Sequence, residues 1–130
     1  MSIEKLAKTY HNIGSVYYSI GNIEDALSYH NKSLKIRKKA NLKKAMAESY
    51  LSIASVLLKA KRFRSASLSG KKALDIAIDY NDSRLLSEVY LFNSDFYNSQ
   101  ENFKKSYEFF SLYIDENERI FNEEAQRTIS

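Results

Sequence analysis

Two histidines, His11 and His30, and 16 Asp/Glu residues are the groups in this 130-residue chain that could hold a metal or move a proton. Either task needs such groups paired at matched spacing, such as i and i+4 on one helix face. Neither histidine has a histidine or carboxylate at that spacing. A phosphate-cradling glycine loop, a nucleophile elbow and a paired-acid arrangement are also missing from the sequence. With no cysteine, thiolate chemistry and disulfides are excluded. The expectation is a non-enzymatic protein with no catalytic residues, no metal site and no cofactor.

The ten tyrosines suggest stacking on nucleobases until their spacing is considered. Shifted by forty positions, the chain falls on itself in columns: Tyr10, Tyr50 and Tyr90; Ile13, Ile53 and Asn93; Gly14, Ala54 and Ser94; Tyr17, Leu57 and Tyr97. Further columns hold Ile23, Phe63 and Phe103, then Ala26, Ala66 and Ser106, then Leu34, Leu74 and Ile114. A period of this length marks stacked supersecondary units, none of which buries its apolar face alone. Three repeats are expected, at 3–42, 43–82 and 83–122, followed by a tail at 123–130. Most tyrosines sit on apolar columns and read as packing residues. His30 shares an aromatic column and reads the same way, whereas His11 is a surface candidate able to sense pH.

Within the first repeat Leu6, Tyr10, Ile13, Tyr17 and Ile20 recur at three and four, placing them on one helix face. Gly21–Asn22 breaks that helix, Asn22 can cap the next, and Glu24 and Asp25 suit its first turn. Ala26, Leu27, Leu34 and Ile36 continue the apolar face. Lys61–Arg62 and Glu101–Asn102 occupy the matching turns without glycine, so turns that are tighter or slightly strained are expected there. Asn41 and Asn81–Asp82 mark the boundaries between repeats. The expected fold is all-α: a right-handed α-solenoid of three antiparallel helix pairs, six helices in all, with a short C-terminal tail. Gly14 and Ala26 are expected where the helices of the first pair cross, because small side chains let backbones approach.

The chain has no proline and three glycines, and no apolar run reaches the ~20 residues that span a bilayer. Its start, MSIEKLAKTY, lacks the apolar core of a secretory signal. A soluble protein is expected, cytoplasmic rather than extracytoplasmic.

These columns resemble the tetratricopeptide repeat signature, W-x2-L-G-x2-Y followed by Ala, an aromatic and Ala. The first repeat supplies Tyr10, Ile13, Gly14, Tyr17, Ala26, His30 and Ser33. The second supplies Tyr50, Ile53, Ala54, Leu57, Ala66, Gly70 and Ala73, and the third Tyr90, Asn93, Ser94, Tyr97, Ser106, Phe110 and Tyr113. The terminal proline is absent, Gly70 replaces an aromatic, Asn93 replaces a leucine, and the period exceeds the usual ~34. The array resembles the longer-helix variety, and the closing stretch from Phe103 is similar to the last repeat of multidomain bacterial signalling proteins.

That resemblance implies a protein-interaction module binding a peptide or partner protein in a concave groove lined by the first helix of each pair. Carried over by position, the groove would hold Lys8, His11, Asn12, Ser15 and Tyr18 from the first repeat. It would add Glu48, Leu51, Ser52, Ser55 and Leu58 from the second, then Glu88, Leu91, Phe92, Asp95 and Asn98 from the third. A clamp for a peptide carboxylate, known in the family, is disfavoured because Glu88 and Asp95 stand where cations are wanted. The bacterial relatives imply a sensing or docking part of a signalling protein.

Charge is unevenly spread. Residues 1–72 hold 15 Lys/Arg and 4 Asp/Glu, a net of +11, and residues 73–130 hold 5 and 12, a net of −7. The runs 32–44 and 59–65 make nucleic-acid binding through a basic 32–72 surface the rival reading, although no nucleic-acid-reading module accompanies them. A purely structural oligomerisation unit is the third. Tyr113, Ile114, Ile120 and Phe121 lie near the end of the stack, and the closing stretch NEEAQRTIS is too short to bury them all. Packing of the C-terminal end against another domain or copy, as a homodimer, is therefore expected.

Overall fold

In the computed structural model, which describes residues 1–129, helices begin every twenty residues. They are α1 (Ile3–Ser19), α2 (Ile23–Lys39), α3 (Lys43–Lys59), α4 (Phe63–Tyr80), α5 (Ser83–Ser99) and α6 (Phe103–Ile129). No strand occurs among the described residues. The all-α helical-repeat class is as expected. The stretch 123–129 continues α6 as helix, and Ser130 lies outside the described residues.

Local chemistry sets the helix starts. Ser2, Asn22, Asp82 and Asn102 each accept a hydrogen bond from the backbone N–H three residues on, at 3.1–3.2 Å. These satisfy donors that a helix's first turn leaves unpaired. α2 also carries Glu24 and Asp25 in its first turn and Arg37, Lys38 and Lys39 in its last, matching the helix dipole at both ends.

One turn design serves all five connections. Gly21, Asn41, Lys61, Asn81 and Glu101 adopt positive φ, from 47° to 83°. After α1, Asn22 N–H returns to Tyr17 O at 2.9 Å and Gly21 N–H to Tyr18 O at 3.1 Å, and the same pair of bonds recurs at Asn41–Leu42, Lys61–Arg62 and Glu101–Asn102. This left-handed cap suits glycine and, next best, asparagine. Lys61 and Glu101 adopt it with full side chains, at a cost of roughly 1–2 kcal/mol each. The strain expected in the glycine-free turns is present.

The helices form two compact units, Met1–Ile76 and Ala77–Ser130. In the first unit Ala7, Ala26, Ala47, Ala54, Ala66 and Ala73 are essentially fully buried. Such small residues let neighbouring helices approach closely. Gly14 meets the ring of His30, Ser33 Oγ donates to Ala7 O at 2.7 Å, and Ser69 Oγ donates to Tyr50 O at 2.7 Å. Tyr29 stacks on Tyr17, with centroids 5.6 Å apart and planes at 13°, and tilts against Tyr10 at 6.0 Å.

The second unit repeats that design eighty residues later. Phe109 stacks on Tyr97 at 5.7 Å with planes at 3° and tilts against Tyr90 at 6.2 Å. At the column of Gly14 and Ala26 it carries Ser94 and Ser106. Their hydroxyls bond across to each other's carbonyls at 3.0 and 2.8 Å, which satisfies two polar groups in a close crossing. The tyrosines at these columns pack within the pairs, as their spacing implies.

Candidate functional site

The first unit brings together polar residues that the sequence separates. His11 of α1 reaches Glu48 of α3, with Nε2 and Oε1 3.0 Å apart. Arg37 of α2 lies beneath, its Nη2 3.6 Å from the same carboxylate oxygen. Arg37 Nη1 donates to Ala45 O at 3.0 Å and to Ser49 Oγ at 2.8 Å. A guanidinium only 5 % exposed is thus held by three residues of α3. His30 stands beside His11, edge-on at 4.9 Å between centroids. A second link joins α1 and α3: Lys59 Nζ donates to Tyr18 O at 3.3 Å and lies 4.7 Å over the Tyr18 ring.

His11 thus has the carboxylate partner that spacing within a helix could not supply. Its partner comes from another helix, 37 positions on in the chain. Arg37 is the residue that sequence reasoning missed. It lies inside the basic run 32–44, which reads as a solvated face, yet the structure buries it. The signal was its register: His30, Leu34 and Arg37 are spaced four and three apart, so they share one buried stripe.

Both imidazoles resist protonation. Burial lowers the His30 pKa to about 4, with the neighbouring His11 and Arg37 acting in the same direction. Burial also lowers that of His11; Glu48 pulls it up, and Arg37 and Lys8 push it down. The Nδ1 atoms of both rings are buried without a hydrogen-bond partner. A neutral imidazole tolerates this better than a cation would. His30 is the packing residue its column implied.

An exposed imidazole titrates near 6.5, above the folded value of about 4. The unfolded chain therefore binds the proton more readily, and stability falls as pH drops below ~6.5 and levels off below ~4. Between pH 7.5 and 5 the loss assigned to His30 is about 2 kcal/mol, with His11 adding to it. Urea denaturation across that range should show the decline, and His30→Leu should flatten most of it.

The other groove candidates divide by unit. On α1, Lys8 and Asn12 are exposed, while Ser15 and Tyr18 are half-buried. The Ser15 hydroxyl donates to His11 O at 3.1 Å. On α3, Glu48 is exposed and Leu51, Ser52, Ser55 and Leu58 are partly buried. In the second unit Glu88, Asp95 and Asn98 are exposed on α5 and Leu91 is half-buried. Partial desolvation raises the Asp95 pKa. Phe92 is 6 % exposed and packs 6.2 Å from Phe96, so it belongs to the core rather than to a surface a partner could touch.

Among the described residues no group of three or more His, Cys, Asp or Glu side chains is arranged to hold a metal ion, and no helix is long and apolar enough to cross a membrane. No curated protein matches the chain. A family profile described as tetratricopeptide repeat matches residues 5–79, more than half of the chain. That family consists of non-enzymatic scaffolds whose repeats generally mediate contacts between proteins. Paired helices every twenty residues, small residues at their crossings and a profile match over α1 to α4 lead to one conclusion: the chain belongs to the tetratricopeptide repeat family.

Proposed function

We propose that this protein binds a partner protein or peptide on the face shared by α1 and α3, and that the partner segment is acidic and amphipathic. The observation that carries this is the His11–Glu48 contact, which holds the two first helices side by side. The binding face would comprise Lys8, Asn12, Ser15 and Tyr18 on one helix and Leu51, Ser52, Ser55 and Leu58 on the other. Half-buried leucines flanked by short polar groups suit a helix or an extended segment. The first unit carries 15 Lys/Arg against 5 Asp/Glu, a net of +10, which attracts an acidic partner.

On the strength of its resemblance to bacterial signalling arrays, the module serves as the sensing or docking part of such a protein. Self-association through the C-terminal end is a second part of the proposal, supported by the apolar residues exposed on α6.

Fluorescence anisotropy with a labelled acidic amphipathic peptide tests the binding face. Leu51→Ala with Leu58→Ala should weaken binding about tenfold, the effect of losing roughly 1.4 kcal/mol of contact. A single-stranded oligoribonucleotide serves as the contrast. The proposal fails if the RNA binds with a steep salt dependence while the peptide does not, because that pattern reports phosphate neutralisation by the basic 32–72 surface. Four of those cations already lie over tyrosine rings: Lys32 over Tyr29, Lys59 over Tyr18, and Lys38 and Lys72 over Tyr50.

A further inference from the structure

Burial along the repeat columns is not uniform, and the exceptions fall on two helix faces. In the first unit α2 packs against α3, with Arg37 on one side and Ala45, Glu48 and Ser49 on the other. Val56 stands two turns beyond Ser49 on the same side of α3 and is 1 % exposed. The counterpart of Val56 on α1 is Val16, and it is 62 % exposed. Leu6 and Val16 on α1, with Ile20 just after it, form an open stripe, where α3 has Met46 and Val56, with Ala60 just after it. α6 carries an open apolar stripe of its own. Phe110 and Ile114 are 44 % and 39 % exposed, against 1 % and 7 % for their α2 counterparts, His30 and Leu34. Phe103, Tyr107 and Phe121 lengthen that stripe, and a depression of about 400 Å³ lies along it between Ile114, Asn117 and Phe121.

We propose that these two stripes are the halves of one joint, closed between two copies of this chain. α6 of one copy then plays the part of α2, and α1 of the next plays the part of α3. This rests on the self-association proposed above and names the surface that α6 meets. Register supports it, because Phe110 and Ile114 occupy columns that are buried on α2, and Leu6 and Val16 occupy columns that are buried on α3. Charge supports it too. The unit carrying α1 has a net of +10, and the unit carrying α6 has 5 Lys/Arg against 11 Asp/Glu, a net of −6. By register Asn117 takes the place of Arg37, and Lys5 and Lys8 take those of Ala45 and Glu48. Glu118, next to Asn117 in the chain, supplies an acid to this end of the joint, where α1 carries the two lysines. Two α6 helices pressed together would instead oppose like acids. The contact is heterologous, so each copy keeps one free half and assembly continues beyond a pair.

Sedimentation of the full chain and two variants tests this. The wild-type protein should form oligomers that grow with concentration and weaken as salt is raised. Val16→Arg blocks the α1 stripe and Phe110→Arg the α6 stripe. Both positions are exposed, and an unchanged circular dichroism spectrum confirms that each variant is folded. Each variant alone should sediment as the 15.1 kDa monomer. Mixed, they should form a one-to-one pair that grows no further, since each retains the half that the other needs. If Val16→Arg still self-associates and Phe110→Arg does not, α6 pairs with α6: the head-to-tail joint is then wrong, while self-association through the C-terminal end stands. A wild-type protein that stays monomeric overturns both.

Discussion

Arg37→Ala is expected to lower the unfolding free energy by about 3–4 kcal/mol, the largest effect of any single substitution considered for this chain. The guanidinium makes two hydrogen bonds, to Ala45 O at 3.0 Å and Ser49 Oγ at 2.8 Å. Bonds from a charged donor contribute about 1.5–3 kcal/mol each, and truncation also removes a buried aliphatic stem. Glu48 limits the loss, because it is half-exposed and keeps His11 as a partner. Arg37→Lys should recover less than half, since one ammonium on a shorter side chain cannot reach Ala45 O and Ser49 Oγ and also face Glu48, as the two guanidinium nitrogens do. Urea denaturation followed by circular dichroism gives the comparison, and a loss below about 1 kcal/mol would mean that the side chain is solvated. A second readout separates charge from packing. Arg37 disfavours protonation of both histidines, so its removal should raise the His11 and His30 pKa values measured by NMR.

Gly14→Leu is expected to cost about 3 kcal/mol, the upper end of the overpacking range. A Cβ at this position would meet His30 Cδ2 at 2.8 Å and its Cγ and Nε2 at 2.9 Å. The ring has no room to retreat, being 1 % exposed and pressed against His11. Even Gly14→Ala should destabilise, because the clash outweighs the ~1 kcal/mol of helix propensity that alanine adds. A double-mutant cycle isolates the cause: with His30 already changed to alanine, Gly14→Ala should become neutral or stabilising. If the cost persists in that background, some neighbour other than His30 confines Gly14. The same columns explain an oddity of the second repeat. Where Gly14 faces a large His30, Ala54 shares its repeat with Gly70, so the glycine changes helix and one member of the column pair stays small.

Local patterns decided much of this protein, because each depends on residues a few positions apart. Apolar spacing of three and four made helices, Ser2, Asn22, Asp82 and Asn102 started four of them, and Gly21 or Asn41 could end them with a left-handed residue at little cost. Self-similarity at forty residues then implied pairing, with the tyrosine columns inside the pairs. What the sequence could not order was everything that depends on how distant helices meet. Arg37 looked like one more cation in a basic run, and only the approach of α3 turned it into a buried donor. His11 looked unpartnered because its carboxylate arrives from another repeat. Phe92 fell on a helix face assigned to a partner but packs in the core, since a helical column marks direction and not depth. The physical reason is one of range: caps and turns are governed by torsions and hydrogen bonds within a single turn of helix. Burial and electrostatic pairing instead depend on ångström-scale distances that only packed helices define.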